Sequence, residues 1–286
     1  MPAVTVVVMT RNRREQLLRS VPQHSRPLIV VDNGSTDGSV EALRSRHPEV
    51  NVIALDRNVA AVARNIGVRA ATTPYVAFAD DDSWWVPGSL EQAAAVLDGH
   101  PDVALLTGAV LIGDDGVLDP FTSALEGSPL PGRDDGAGVP VLGFMACAAV
   151  VRRSAFLEVG GFDRVVEFVG EEERLALDLA DHGWQLRYLP DLLIRHLPEP
   201  GDRPAGARRR RVARNDVLTA AMRLPVSFTA RRVLRHAAAG RDGRLGVLLA
   251  VPRLPLALRH RRPIGRPVQD AVRLLESGRT ARPGGA

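Results

Sequence analysis

The sequence predicts an α/β fold, a mostly parallel sheet flanked by helices, with a basic helical extension behind it. Three observations carry this. Short β-branched runs alternate with amphipathic stretches through the first 200 residues, acidic and polar residues gather where the apolar runs stop, and charge divides sharply at Gly201. Alternating strand and helix patterns are the mark of parallel strands joined by helical crossovers. Residues 1–200 hold 17 Arg against 28 Asp and Glu, a net of −11, while residues 201–286 hold 20 Arg against 5 acids, a net of +15. Two units are therefore expected, an acidic α/β unit over 1–200 and an Arg-rich helical tail over 201–286.

The elements follow in order. Thr5–Met9 reads as the first strand and Arg13–Val21 as the helix after it. Leu28–Val31 is the second strand, and Ser39–Arg46 a helix opened by the capping residues Ser35, Thr36 and Asp37. A strand at Val50–Leu55, a helix at Ala60–Ala71 and a strand at Tyr75–Ala79 come next, the last ending at three aspartates. Ser89–Leu97 is helical, and Val103–Ile112 is one strand or a strand pair. Gly113–Val139 is rich in Gly, Pro, Asp and Ser and is expected as a mobile loop. Leu142–Val151 is apolar again, Ser154–Val159 a short helix, Gly160-Gly161-Phe162-Asp163 a turn, and Glu171–His182 an amphipathic helix closed by Gly183. Strands at Gln185–Leu189 and Leu192–Ile194 complete the sheet.

Composition excludes several classes. With 286 residues, 45% of them hydrophobic, the chain is not disordered throughout. Its single cysteine, Cys147, forms no internal disulfide and lies in the apolar run Phe144–Val151, so a buried, inert thiol in a reducing compartment is expected. The first apolar run is too short and lacks the basic flank of a signal sequence, and no window approaches the ~18 apolar residues of a membrane span. A cytoplasmic protein is expected, at most peripheral at the inner face of the membrane. The complete absence of lysine reads as coding bias, although arginine's planar fork suits phosphate-rich surfaces.

Ligands of open α/β sheets bind beyond the carboxyl ends of the strands, so residues just after each strand carry the chemistry. Asp80-Asp81-Asp82 is the strongest signal. Adjacent carboxylates repel, and packing three where a strand leaves the core points to a divalent cation, Mg²⁺ or Mn²⁺, that also holds a diphosphate. A solvated acidic turn is the competing explanation. Asp32, opening Asp32-Asn33-Gly34-Ser35-Thr36-Asp37, is placed to accept from a nucleobase or ribose, although this run is also ordinary turn chemistry. Arg64 on the third helix offers a bidentate donor near the same edge. Glu171-Glu172-Glu173 opens a helix, where the dipole alone favours acids, yet a carboxylate beside a metal site can act as a general base. His196, following the last strand, is either structural or a metal ligand.

From Val4 to about His196 these residues resemble the family 2 inverting glycosyltransferases of the GT-A fold, whose sheet is Rossmann-like. The resemblance rests on Thr10-Arg11-Asn12-Arg13, Val31 to Asp37, Asn58 through Arg64-Asn65-Ile66-Gly67, Asp80-Asp81-Asp82, Gly160 to Asp163, Gly170-Glu171-Glu172 and Gly183-Trp184. It implies that 1–200 is a nucleotide-sugar-binding catalytic domain. Thr10, Asp32 and Arg64 would line the nucleoside pocket, Asp80 and Asp81 would approach ribose and diphosphate, and Asp82, with His196, would hold Mn²⁺ or Mg²⁺. The family's Glu-Asp pair is Glu171-Glu172 here, which makes Glu172 the expected base, with Glu171 or Glu173 as substitutes. The partners implied are a nucleoside-diphosphate sugar and a hydroxyl acceptor, lipid-linked or small.

A sugar nucleotidyltransferase would need a Gly-rich, Lys-bearing loop after the first strand, which Thr10-Arg11-Asn12-Arg13 does not supply. A non-catalytic nucleotide-sugar-binding relative is the main alternative. Arg208-Arg209-Arg210-Arg211 suggests nucleic acid, but the tail holds Phe228 as its one aromatic residue, and such binding is not expected. Apolar runs at 245–251 and 254–258, flanked by Arg259, Arg261 and Arg262, suit an anionic membrane surface better, and a helical cap on the α/β unit is the plain competitor.

Overall fold

The computed structural model describes residues 3–132, 135–199 and 205–280. In chain order the first half comprises β1 (Val4–Thr10), α1 (Arg14–Ser20), β2 (Leu28–Asp32), α2 (Ser39–Arg46), β3 (Asn51–Ala54), α3 (Val62–Ala70) and β4 (Tyr75–Asp80). There follow β5 (Ser83–Trp85), α4 (Ser89–Gly99), β6 (Val103–Ile112), β7 (Val117–Leu118), α5 (Pro120–Glu126), β8 (Val139–Pro140) and β9 (Ala149–Arg152). Helices α6 (Arg153–Glu158) and α7 (Glu172–Asp181) and strand β10 (Gln185–His196) complete the α/β unit. The tail forms α8 (Ala205–Arg223), α9 (Val226–Ala238), α10 (Arg241–Ala250), α11 (Leu254–Arg259) and α12 (Arg266–Thr280).

The sheet runs β3-β2-β1-β4-β9-β6-β10-β5, with β7 on β6 and β8 on β10. Strands β1 to β4 pair in parallel, whereas β9 joins β4 to β6 antiparallel to both. Alternation along each strand sorts side chains to two cores. Val6, Val8, Leu28, Val30, Ala77 and Ala79 face α1, α2 and α4, while Val7, Ile29, Val31, Val76 and Phe78 face α3, α6 and α7. Strands buried on both faces read as near-continuous apolar runs, which is why β1, β2 and β4 were legible. Helix α3 lies so close on the sheet that a Cβ at Gly67 would stand 2.4 Å from Val7 Cγ1.

Three expectations need correction. Residues 113–139 are not a featureless loop: β7 pairs onto β6, and α5 starts at Asp119-Pro120, where the Asp119 side chain accepts from the backbone N–H of Phe121 and Thr122. Asp-Pro is a helix N-cap signal as well as a turn signal. The two strands expected at 185–194 are one, β10, whose register on β6 shifts between Leu189 and Leu193 to absorb Pro190-Asp191. Finally β5, not foreseen, pairs antiparallel with β10 directly after the aspartates and aligns Ser83 with His196.

The tail packs on the α/β unit. Val217, Leu218 and Met222 bury against Val165 and Val166, and Ala220, Leu224, Phe228 and Ile264 against Leu177 of α7. No helix among the described residues is long and apolar enough to cross a membrane.

Candidate active site

Parallel register brings the carboxyl ends of β2, β1 and β4 together, with Thr10 beside Asp32 and Met9 beside Asp80. The backbone bond from Leu197 N–H to Asp82 O (2.8 Å), with β5 on β10, delivers His196 to the same edge. Its Nε2 lies 3.3 Å from Asp82 Oδ1. Burial would lower the His196 pKa, but the hydrogen bond and charge of Asp82 outweigh it, with Asp80 and Asp119 adding to the rise.

The aspartates divide by partner. Asp81 is buried, accepts from Thr10 Oγ1 at 2.9 Å and stands 3.0 Å from Arg13 Nε. Burial, then the charge of Asp82, push its carboxyl up to about 7 against the pull of Arg13. Arg13 Nη2 also donates to Asp82 Oδ2 at 2.8 Å. Asp80, more open at 27% side-chain exposure, accepts from Arg64 Nη2 at 2.7 Å. Sequence reasoning did not single out Arg13; its signal was the spacing Thr10-x-x-Arg13 just after β1, unreadable until the β1–β4 register is known.

Two of the residues that the resemblance places at the nucleotide are buried. Arg64, expected in the nucleoside pocket, has no exposed surface; it bridges Asp80 and Glu171, whose Oε1 accepts from Nη1 at 3.2 Å, and its guanidinium lies 5.6 Å from the Phe162 ring centroid. The close seat of α3 on the sheet puts it beneath the site. Asp81, expected to reach ribose and diphosphate, is taken up by Thr10 and Arg13. Asp32 is buried, its Oδ1 accepts from Ser35 N–H at 2.9 Å, and its Oδ2 has no hydrogen-bond partner among the described residues.

The three glutamates also separate. Glu171 is buried on Arg64, and Glu173 is gripped by Arg232 from α9, at 2.7 Å and 2.8 Å. Glu172 is partly buried and makes no ion pair among the described residues, and the nearby backbone N–H groups of Glu172 itself and Ala146 only partly offset the effect of burial on its carboxyl. Burial is the main cause raising the pKa of both Glu171 and Glu172, with the Glu172 charge adding to the rise at Glu171. Cys147, in the adjoining turn at 146–148, is buried, and burial first, then the charge of Asp80, hold its thiol well above the usual range.

The approach to α7 is cross-braced. Asn65 of α3 donates to Phe162 O and accepts from Phe162 N–H, fixing the 160–163 turn, and Arg174 donates to Gly161 O at 2.6 Å while pairing with Asp178 at 2.7 Å. From the tail, buried Asn215 donates to the carbonyls of Glu167 and Val169, and Arg223 pairs with Asp178.

Among the described residues no three His, Cys, Asp or Glu side chains are arranged to hold a metal ion by themselves. Asp82 and His196, partly exposed and paired with each other, nonetheless bring a carboxylate and an imidazole together at this edge of the sheet. Two protein donors suit Mn²⁺ or Mg²⁺ when phosphate oxygens complete the coordination.

A model of Glycosyl transferase family 2 matches residues 5–160. The pre-mycofactocin glycosyltransferase of Mycobacterium tuberculosis is 35% identical over 208 residues, 68% of this chain but only 42% of that longer protein. The N-acetylglucosaminyl-diphospho-decaprenol L-rhamnosyltransferase of the same organism is 27% identical over 238 residues, 68% of this chain and 75% of its own length. Among solved structures, GalNAc-T7 with UDP, GalNAc and Mn²⁺ superposes with a TM-score of 0.62 at 15% identity, covering 86% of this chain and 53% of that one. A mannosyltransferase from Pyrobaculum calidifontis with GDP-Man and Mn²⁺ gives 0.56 at 21% identity, covering 97% and 86%. These likenesses establish the GT-A fold, with its sheet flanked by helices.

Proposed function

We propose, on the premise that this chain belongs to glycosyl transferase family 2, that it moves a sugar from a nucleoside-diphosphate sugar to an acceptor hydroxyl with inversion at the anomeric carbon. The observation that carries this is the state of Glu172. Its neighbours Glu171 and Glu173 are each bound by an arginine, whereas Glu172 makes no ion pair among the described residues and stays partly exposed near Asp80, and burial raises its pKa in the direction a general base requires.

In this reading Glu172 takes the acceptor proton as the acceptor oxygen bonds to the anomeric carbon and the bond to the diphosphate oxygen breaks on the opposite face. Asp82 and His196 would hold Mn²⁺ or Mg²⁺, which when bound would supply charge stabilisation for the departing diphosphate. Asp32 Oδ2 accepts an N–H from the base or an O–H from the ribose, and Asp80, steadied by Arg64, faces the ribose and diphosphate. Thr10, Asp81 and Arg13 form the floor that sets the position of Asp82. The Mn²⁺ and nucleotides in the structurally similar proteins support the cation and donor classes. The relative named for a decaprenol-linked substrate supports a lipid-linked acceptor, with a small-molecule acceptor as the other class. An acceptor in the bilayer would require the protein to sit on the membrane, and the basic tail is the part with the charge to hold it there.

Calorimetry with UDP, GDP and dTDP, in Mn²⁺ or in chelator, tests the site, and hydrolysis of the matching sugar nucleotides tests turnover. Binding of one nucleotide that depends on metal, with the dependence and turnover lost in Asp82→Asn, is expected. Equal binding in chelator would refute the metal assignment. Metal-dependent binding without any transfer or hydrolysis would instead mark a non-catalytic relative, the reading that Glu-Glu in place of Glu-Asp favours.

A further inference from the structure

The tail carries an apolar surface that neither the catalytic site nor its own packing uses. Leu248, Leu249, Val251, Leu256 and Leu258 all stand exposed, at 63, 50, 54, 46 and 55%, within eleven residues of α10, α11 and the turn between them. Loose packing does not account for this. The inner face of α10 carries Gly243 and Gly246, where an added Cβ would lie 2.0 Å from His236 O and 2.5 Å from Ala213 Cβ. The helix is thus pressed against α8 and α9 as closely as backbones allow, and Ala250 and Ala257 are fully buried. Which leucines face outward is set by that glycine seam.

The acids beside this surface are already taken, Asp242 of α10 by Arg209 and Arg210 and Glu167 by Arg214 and Arg253, while several arginines are not. Arg244, Arg259 and Arg262 are exposed, and none makes an ion pair among the described residues; Arg241 is exposed one turn before Arg244. By contrast the inward arginines Arg223 and Arg232 are paired with Asp178 and Glu173. Exposed leucines rimmed by unpaired arginines match the two layers of an anionic bilayer, with acyl chains beneath the leucines and phosphates beside the guanidinium groups. A second copy of this chain would oppose arginines to arginines across the contact, a repulsion that a leucine patch of this size would have to overcome.

We propose that the outward face of α10 and α11 is a docking surface for an anionic phospholipid bilayer, laying these helices in the interface without crossing it. This rests on the reading of the tail as membrane-seeking and adds which side chains enter the bilayer.

The full chain is co-sedimented with phosphatidylglycerol–phosphatidylcholine vesicles and with vesicles of phosphatidylcholine alone. Pelleting with the first and not the second is expected. Binding should weaken at least about tenfold in Leu248→Gln/Leu249→Gln/Leu256→Gln/Leu258→Gln, and similarly in Arg244→Gln/Arg259→Gln/Arg262→Gln. All seven positions are exposed, so unchanged thermal melts should accompany the loss. Leu249→Cys labelled with an environment-sensitive fluorophore should shift to the blue on anionic vesicles; buried Cys147 would not take the label. If the wild type pellets with neither vesicle, the membrane reading of the tail is wrong. If it pellets with anionic vesicles and the leucine variant binds equally well, the docking face is wrong while electrostatic attachment stands. A dimer in sedimentation that the leucine variant abolishes would assign the face to a second copy and overturn the proposal.

Discussion

Replacing Arg232 with methionine keeps the stem of the side chain and removes the guanidinium that ties the tail to Glu173 in the first turn of α7. Arg232 is 4% exposed; it holds both oxygens of Glu173, reaches Asp216 at 2.5 Å and contacts Glu276 at 3.3 Å. Removing one partner of a buried ion pair costs about 3–5 kcal/mol, because the remaining charge stays desolvated. The lower end applies here, since Asp216 keeps Arg235 at 2.7 Å and His236 at 2.6 Å, and Glu173 is 32% exposed. A pH signature accompanies the loss. Burial alone would raise the Asp216 pKa, but His236, Arg232 and Arg235 lower it from 3.8 to about 2. A depressed folded-state pKa contributes stability above the unfolded value that is lost as pH falls through the folded value; here that is roughly 2–3 kcal/mol, lost between about pH 4 and pH 2. Arg232→Met should shrink the depression, so the gap between wild type and variant should narrow across that window. Urea unfolding at a series of pH values measures both quantities. A penalty under about 1 kcal/mol near neutrality, or a gap that stays constant from pH 4 to pH 2, would refute the reasoning.

Other substitutions probe the site itself. Glu172→Gln should lower turnover at least about a hundredfold while donor affinity, read by calorimetry, stays within about twofold; near wild-type turnover would move the base to another residue. Arg64→Met should lower the midpoint of urea unfolding by the equivalent of about 3–5 kcal/mol, since a fully buried guanidinium shared by Asp80 and Glu171 is lost. Arg64→Lys should rescue little of that, because one ammonium does not reproduce a fork spanning two carboxylates; full rescue would show that charge alone matters there.

The strand ends were the legible part of the site. β1, β2 and β4 are apolar on both faces and stop abruptly, so Thr10, Asp32 and Asp80 mark the edge of the sheet in the sequence itself. Their adjacency was not legible, because it depends on the strand order β2-β1-β4. Arg13 was missed for that reason: an arginine after a strand has meaning only once Asp81 and Asp82 are known to emerge beside it. The burial of Arg64 was not legible for a related reason, since only the fold shows that a nearby glycine brings its helix down onto the sheet. Glu173 shows the limit most sharply. An acid in a helix's first turn already has a local explanation in the dipole, and its partner Arg232 lies 59 residues further along.

The −11 and +15 halves of the chain suggest one uniform electrostatic attraction, but the arginines of the tail fall into two populations with different physics. Arg223 and Arg232 are buried on Asp178 and Glu173 of α7, while Arg214 and Arg253 reach Glu167 in the approach to that helix. The buried pairs are little screened by ions in solution, so the tail should stay attached to α7 in salt. Arg244, Arg259 and Arg262 face solvent, where charges are screened beyond about 8 Å at physiological ionic strength. High salt should therefore release the chain from anionic vesicles without loosening the tail from α7. Were salt instead to lower thermal stability in step with vesicle release, the two populations would be one, and the division between a clamp on α7 and the proposed lipid-docking surface would fail.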